Sequence, residues 1–266
     1  MVSKYIFVTM TLDYKNSTIH YTTSGEGPTV VFLHGFLETI DMWNGLISKL
    51  SKHQVICIDL LGHGKTDCLG YVHTMEAMAD AVFAVLNHLK IKKAKFIGHS
   101  MGGYVCLALA EKQPLLFKGL CLMNSTFEAD DDQRKLIRSR AIKLAQTHYE
   151  TLVGMSFANL FAPASRTTFK KEFDDALELA LQTPVQGYIA AQEGMKLRPN
   201  RFDVFKNLNC KQLIIIGKKD AVVNGDSIIS KIKGTSINYI EFSEGHMSYI
   251  ENESELSYEL LRFIEK

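Results

Sequence analysis

Gly98-His99-Ser100-Met101-Gly102 is the stretch on which the reading of this chain turns. Ahead of it, Lys95-Phe96-Ile97 is a short apolar run suited to a buried strand. Behind it, residues 103–110 carry apolar side chains at helical spacing. A serine between two glycines at such a junction can hold a strained, sharply turned backbone. Its hydroxyl then stands clear of the sheet at the start of the helix, the arrangement called a nucleophile elbow. A serine so placed can attack carbonyl carbon. The same five residues also fit a glycine-rich turn with a spectator serine, so the rest of the chain must decide.

Working outward, apolar runs alternate with amphipathic stretches. Toward the N-terminus, residues 5–12 and 17–23 alternate as an antiparallel pair around a turn at 13–16. Val30-Val31-Phe32-Leu33 reads as a buried strand running into His34-Gly35, and Val55-Ile56-Cys57-Ile58 as another ending at Asp59. Residues 41–50 and 74–89 read as helices, the second with Met78, Val82, Val85 and Leu89 at spacings of three and four. The helix after the elbow runs over 100–111 and stops before Pro114, and Leu120-Cys121-Leu122-Met123 is the next strand. Residues 124–211 carry no strand pattern and read as helices broken at Pro163, Pro184 and Pro199. Strand rhythm resumes at Leu213-Ile214-Ile215-Ile216, followed by a helix at 225–232, a strand at 237–242 and a closing helix at 253–264. Such alternation predicts an α/β fold, a mostly parallel sheet flanked by helices. The core is expected over residues 1–123 and 212–266, with 124–211 inserted as a helical cap.

Composition excludes several classes. Of 266 residues 46% are hydrophobic and 22% charged, ordinary for a globular protein, and the net charge of +1 offers no footprint for nucleic acid. No apolar stretch approaches the ~20 residues that span a bilayer. Residues 1–10 lack the pattern of a secretory signal, so a cytoplasmic protein without membrane contact is expected. The five cysteines (Cys57, Cys68, Cys106, Cys121, Cys210) match no metal spacing and read as small buried hydrophobes in a reducing compartment. Neither metal nor cofactor is called for, and protein partners are not legible. Asn16-Ser17-Thr18 and Asn124-Ser125-Thr126 fit the glycosylation triplet and, without a secretion signal, carry no weight.

A serine hydroxyl is a poor nucleophile near neutral pH; it needs a base and a group that orients the base. His246, in Ser243-Glu244-Gly245-His246-Met247 after the last strand, is the candidate base. Asp220, in Gly217-Lys218-Lys219-Asp220 directly after a strand, is the candidate acid, ahead of Asp203 and Asp226. His34, His63 and His99 also sit near strand ends and read as local hydrogen-bonding residues. Backbone N–H groups of Phe36, after His34-Gly35, and of Met101, at a helix N-terminus, are candidate donors to a developing oxyanion.

With those pieces in order, the chain resembles the α/β-hydrolase superfamily. The segments that carry the resemblance are His34-Gly35-Phe36, the stretch Asp59-Leu60-Leu61-Gly62-His63-Gly64-Lys65-Thr66, Gly98 to Gly103, Gly217-Lys218-Lys219-Asp220 and Gly245-His246. The resemblance implies an eight-stranded, mostly parallel sheet with a helical cap after the sixth strand, and metal-free hydrolysis through an acyl-enzyme. It carries the nucleophile to Ser100, the acid to Asp220, the base to His246 and the oxyanion donors to Phe36 and Met101. Haloalkane dehalogenases and epoxide hydrolases of this fold have an aspartate at the elbow, where this chain has Ser100. The SHCHC synthases of menaquinone synthesis share the Ser100-Met101-Gly102-Gly103 pattern but generally continue with arginine, where this chain has Tyr104. Leu61 stands where the superfamily usually has proline.

The expected function is therefore a serine esterase acting on a small ester, thioester or lactone. A ligand-binding sensor of the same fold and a lyase or synthase are the alternatives. In the inserted segment Met155, Phe157, Leu160, Phe161, Phe169, Tyr188 and Met195 serve either as pocket lining or as the cap's own packing. Arg134, Lys135, Arg138, Arg140 and Lys143 are expected to form a solvated basic face, and Arg166, Arg198 and Arg201 are unassigned.

Overall fold

The computed structural model describes residues 8–265. In chain order it runs β1 (Val8–Tyr14), β2 (Ser17–Ser24), β3 (Thr29–Leu33), a short 3-10 turn (Ile40–Trp43) leading into α1 (Asn44–Ile47), β4 (Gln54–Ile58), α2 (Met75–His88), β5 (Ala94–His99), α3 (Met101–Lys112) and β6 (Phe117–Met123). Six helices follow: α4 (Asp132–Ala145), α5 (Tyr149–Ala158), α6 (Ser165–Thr168), α7 (Lys170–Leu181), α8 (Val185–Leu197) and α9 (Phe202–Lys206). The chain then returns through β7 (Lys211–Gly217), α10 (Gly225–Ile232), β8 (Asn238–Phe242), α11 (Ser248–Glu251) and α12 (Glu253–Glu265).

The eight strands form one sheet in the order β1-β2-β4-β3-β5-β6-β7-β8. β2 pairs antiparallel with β1 and β4, and every pair from β4 to β8 is parallel. The inner parallel strands β3 to β7 are mostly apolar and buried because both their faces are covered, whereas the edge strand β8 is largely exposed. Val31, Leu33, Ile56, Phe96, Leu120, Ile214 and Ile216 face α2, α3 and α10. Their alternates Val30, Phe32, Val55, Ile97, Cys121, Leu213 and Ile215 face Trp43, Leu256, Leu260 and Phe263. A third apolar cluster holds the inserted helices together through Val153, Phe157, Phe161 and Tyr188, and it includes Leu37 and Met247 from loops of the sheet.

Two expectations shift. The first strand runs to Tyr14, because the turn narrows to Lys15 and Asn16, both at positive φ (51° and 62°), the pairing that closes a two-residue hairpin. Residues 5–7 of the expected strand lie outside the described residues. The helix expected at 41–50 is broken into a 3-10 turn and one α turn. There the Ile40 N–H donates to Asp59 Oδ1 at 3.0 Å and Trp43 packs against Phe32 with ring centroids 4.9 Å apart. These tertiary contacts, with Gly45 lowering helix propensity, override the apolar spacing.

Asp59 explains its own sequence neighbourhood. Its Oδ2 accepts from His20 Nδ1 at 2.6 Å and from the Lys65 N–H at 3.0 Å. Gly64, at φ 55°, has no room for a side chain: a Cβ would lie 2.3 Å from the Asp59 carboxylate. The segment from Asp59 to Thr66 is thus a fastener between β2, β4 and the loop after β3. Between α5 and α8 the chain turns at Pro163 and Pro184, and Pro199 follows the end of α8. Among the described residues, no helix is long and apolar enough to cross a membrane.

Candidate active site

Ser100 sits between β5 and α3 at φ 47°, ψ −114°, a conformation that costs a non-glycine residue on the order of 1–3 kcal/mol. Packing enforces it. A Cβ on Gly98 would lie 2.5 Å from Gly103 N, one on Gly102 2.3 Å from the Leu33 carbonyl oxygen, and one on Gly103 2.3 Å from Ser125 Oγ. The glycines let α3 press onto β3 and β5, and that pressure turns the serine outward. The Ser100 N–H donates to the Met123 carbonyl at 2.9 Å, and Ser125 Oγ donates to the Ser100 carbonyl at 2.7 Å.

Asp220 follows β7 by three residues. Its Oδ1 accepts the N–H groups of Val222 and Val223 at 2.8 and 3.0 Å. Its Oδ2 lies 2.7 Å from His246 Nδ1 and accepts from Asn124 Nδ2 at 3.3 Å. Burial alone would raise the Asp220 pKa, but the charge and hydrogen bond of His246, with the two backbone donors, hold it below the ordinary carboxylate range. His246 stands in the loop after β8, and its N–H donates to the Leu160 carbonyl of the inserted segment at 2.8 Å. Its Nε2 lies 2.9 Å from Ser100 Oγ. An ionised Asp220 can only accept, so the imidazole proton belongs on Nδ1 and Nε2 keeps the lone pair facing the hydroxyl. Ser100, Asp220 and His246 are therefore brought together from three strand ends. Asp203 on α9 and Asp226 on α10 bond to no histidine among the described residues.

Phe36 lies in the loop after β3 and Met101 opens α3. Neither N–H has a hydrogen-bond partner among the described residues, whereas the Gly35 N–H donates to Glu38 Oε2 at 2.6 Å. His34 accepts the Leu60 N–H on Nε2 at 2.9 Å, so its Nδ1 donates to the Gly35 carbonyl at 2.7 Å. Burial pushes the His63 pKa down to about 3. Both are neutral structural residues.

Four contributors were not legible as such. Glu38 and His99 form a buried contact of 2.7 Å directly behind the elbow. Asn124 and Ser125, which as sequence only completed a glycosylation triplet, instead brace Asp220 and Ser100. Asn124 also donates to the Gly245 carbonyl at 3.2 Å and adopts a positive φ of 44°. A positive φ, at which asparagine is enriched, was the one signal its residue type offered.

The inserted helices correct one expectation. Lys135, Arg140 and Lys143 are solvent-exposed on α4. Arg134 and Arg138 instead turn inward, Arg134 to the Val222 carbonyl at 2.8 Å, Arg138 to Asp130 at 2.6 Å and Gln192 at 2.9 Å. Asp130 is buried and needs cations, and it also takes Arg198 at 2.7 Å. That guanidinium stacks 4.1 Å over the Tyr104 ring. Arg201 is held by Glu76 and Glu111, and Arg166 is exposed. Phe157, Phe161 and Tyr188 pack in the helices' own core and Met195 against the main core, while Met155 is 68% exposed. All five cysteines are free, and burial raises the thiol pKa of Cys57, Cys106 and Cys121 far above the ordinary value.

Residues 28–253 match the family described as the alpha/beta hydrolase fold, and the chain belongs to it. An uncharacterized protein from Mycobacterium tuberculosis is 33% identical over 106 residues, which is 40% of this chain and 31% of that one, so the match spans under a third of that relative. The 3-oxoadipate enol-lactonase 1 of Acinetobacter baylyi is 25% identical over 249 residues, covering 89% of this chain and 88% of that one. Among solved structures, a thermophilic esterase from Thermogutta terrifontis superposes with a TM-score of 0.87 at 25% identity over 98% of both chains.

Proposed function

We propose that this chain is a serine hydrolase that cleaves a small ester, thioester or lactone through an acyl-enzyme on Ser100. The observation that carries the reading is the continuous relay from Asp220 Oδ2 to His246 Nδ1, 2.7 Å, and from His246 Nε2 to Ser100 Oγ, 2.9 Å. The full-length similarity to an enol-lactonase and to an esterase supports the substrate class. The segment 124–211 acts as a cap over a core of 1–123 and 212–266. The five free thiols fit a reducing compartment, and the cytoplasm is the proposed location.

In this mechanism Ser100 Oγ forms a bond to the carbonyl carbon while His246 Nε2 takes its proton. Asp220 holds the imidazole in the required tautomer and stabilises the imidazolium. The carbonyl oxygen becomes an oxyanion and accepts from the N–H groups of Phe36 and Met101, each donor worth roughly 3 kcal/mol. The intermediate collapses, the bond to the leaving oxygen or sulfur breaks, and His246 returns the proton to it. Water then attacks the acyl carbon while giving a proton to His246; the bond from the acyl carbon to Ser100 Oγ breaks, His246 returns that proton to Oγ, and the acid leaves.

A fluorophosphonate probe tests this reading. The wild type is expected to be labelled on Ser100 and to hydrolyse short-chain p-nitrophenyl esters, and Ser100→Ala to do neither. A folded protein that neither labels nor turns over any ester in such a panel would sink it. Turnover without any acyl-enzyme would favour the synthase alternative, and tight ligand binding with negligible turnover the sensor.

A further inference from the structure

His99 precedes the nucleophile and has both ring nitrogens engaged. Nδ1 lies 2.7 Å from Glu38 Oε2, and Nε2 lies 3.0 Å from the backbone carbonyl oxygen of His246. A carbonyl only accepts, so Nε2 carries a proton. The proton between Nδ1 and Oε2 rests on the imidazole, the more basic partner. Oε2 also accepts the Gly35 N–H, 2.6 Å away, while Oε1 is buried with no hydrogen-bond partner among the described residues. The pair is buried, with Glu38 5% and His99 1% exposed. Glycine at 35 makes room for it: a Cβ there would lie 2.5 Å from Glu38 Oε2 and 2.8 Å from His99 Nδ1.

We propose that Glu38 and His99 form a charged positioning pair for the reaction assigned above to Ser100 and His246, and this proposal rests on that assignment. The pair joins the three segments that must converge. Gly35 precedes the oxyanion donor Phe36, His99 precedes Ser100, and the carbonyl bonded by His99 belongs to His246 itself. Neither side chain touches the reacting atoms; both act through their neighbours.

Burial alone would raise the Glu38 pKa and lower that of His99. Their mutual charge and hydrogen bond outweigh it, so Glu38 sits below its ordinary range and His99 above its own. The other titratable groups near His99 are His246 (ring centroids 5.1 Å), Tyr249 (6.0 Å), His34 and Asp220. Burial raises the Tyr249 hydroxyl pKa well above its usual value, so Tyr249 stays neutral beside the pair.

Two measurements on the full chain test the proposal. Nitrogen NMR of the histidine rings is expected to show both His99 nitrogens protonated at neutral pH in the wild type, and only one in Glu38→Gln. A neutral His99 in the wild type overturns the charged pair. Kinetics test positioning. Glu38→Gln is nearly isosteric, so it is expected to fold, to keep KM within about twofold and to lose kcat about tenfold or more, as small misplacements of reacting groups do. His99→Gln retains a donor for the His246 carbonyl without the charge and is expected to lose less in kcat than His99→Ala. A folded Glu38→Gln with wild-type kcat overturns the positioning role. Absence of Ser100 labelling in the wild type removes the positioned reaction and with it that role, while the NMR result still stands or falls alone.

Discussion

Two carboxylate–histidine pairs lie side by side here, with the rings of His246 and His99 5.1 Å apart. Each has a carboxylate oxygen 2.7 Å from an imidazole Nδ1. They differ at the other nitrogen. His246 Nε2 faces a hydroxyl, which can give up a proton; His99 Nε2 faces a carbonyl, which cannot. The first pair is open and can pass a proton on. The second is closed, because a carbonyl has no proton to exchange. The same residue types become a relay or a fastener according to one atom supplied by a distant part of the chain.

The largest expected break in this contrast is at the open pair. Ser100→Ala should lower kcat/KM for an ester substrate by at least about 10⁴-fold, and Asp220→Asn by on the order of 10⁴-fold through the wrong imidazole tautomer. Single-turnover hydrolysis measures both, and a loss of only a few fold in either would show that the relay is not used. Gly102→Ala alters no member of either pair but drives a Cβ into the Leu33 carbonyl beneath the elbow, and it should destabilise the fold by about 3 kcal/mol in urea unfolding.

The closed pair should show in the pH dependence of stability. The contribution from His99, whose pKa is raised in the fold, is complete below the ordinary value of 6.5 and is lost as pH rises through the raised one. The contribution from Glu38, whose pKa is depressed, is present above 4.5 and is lost as pH falls through the depressed one. The gap in melting temperature between wild type and Glu38→Gln should therefore be widest between pH 4.5 and 6.5. A gap independent of pH would mean that the pair carries no charge. The smallest effect belongs to a glycine outside both pairs. Gly154 in α5 has open space where a Cβ would go, so Gly154→Ala should stabilise by about 0.5–1 kcal/mol and leave kcat unchanged.

The elements that matched expectation are those whose cause is local. The run Leu213-Ile214-Ile215-Ile216 is a strand buried on both faces. The helix after Thr74 starts where that side chain accepts the Ala77 N–H at 3.1 Å. The glycines around Ser100 announced a tight junction because nothing larger fits. The misses share a different cause. The short turn at 40–47 is set by Asp59, and Arg134 and Arg138 point inward because of Val222 and Asp130. Glu38 acquires its meaning from His99, 61 positions away, and Asn124 from Asp220, 96 positions away.

Sequence alone determined the alternation of strands and helices, the elbow, and the order of Ser100, Asp220 and His246, because periodicity, glycine spacing and chain order are properties of the string. Tertiary structure alone decided which histidine faces a hydroxyl and which a carbonyl. A hydrogen bond depends on distances of about 3 Å between atoms, and only folding brings loops from separate strand ends that close.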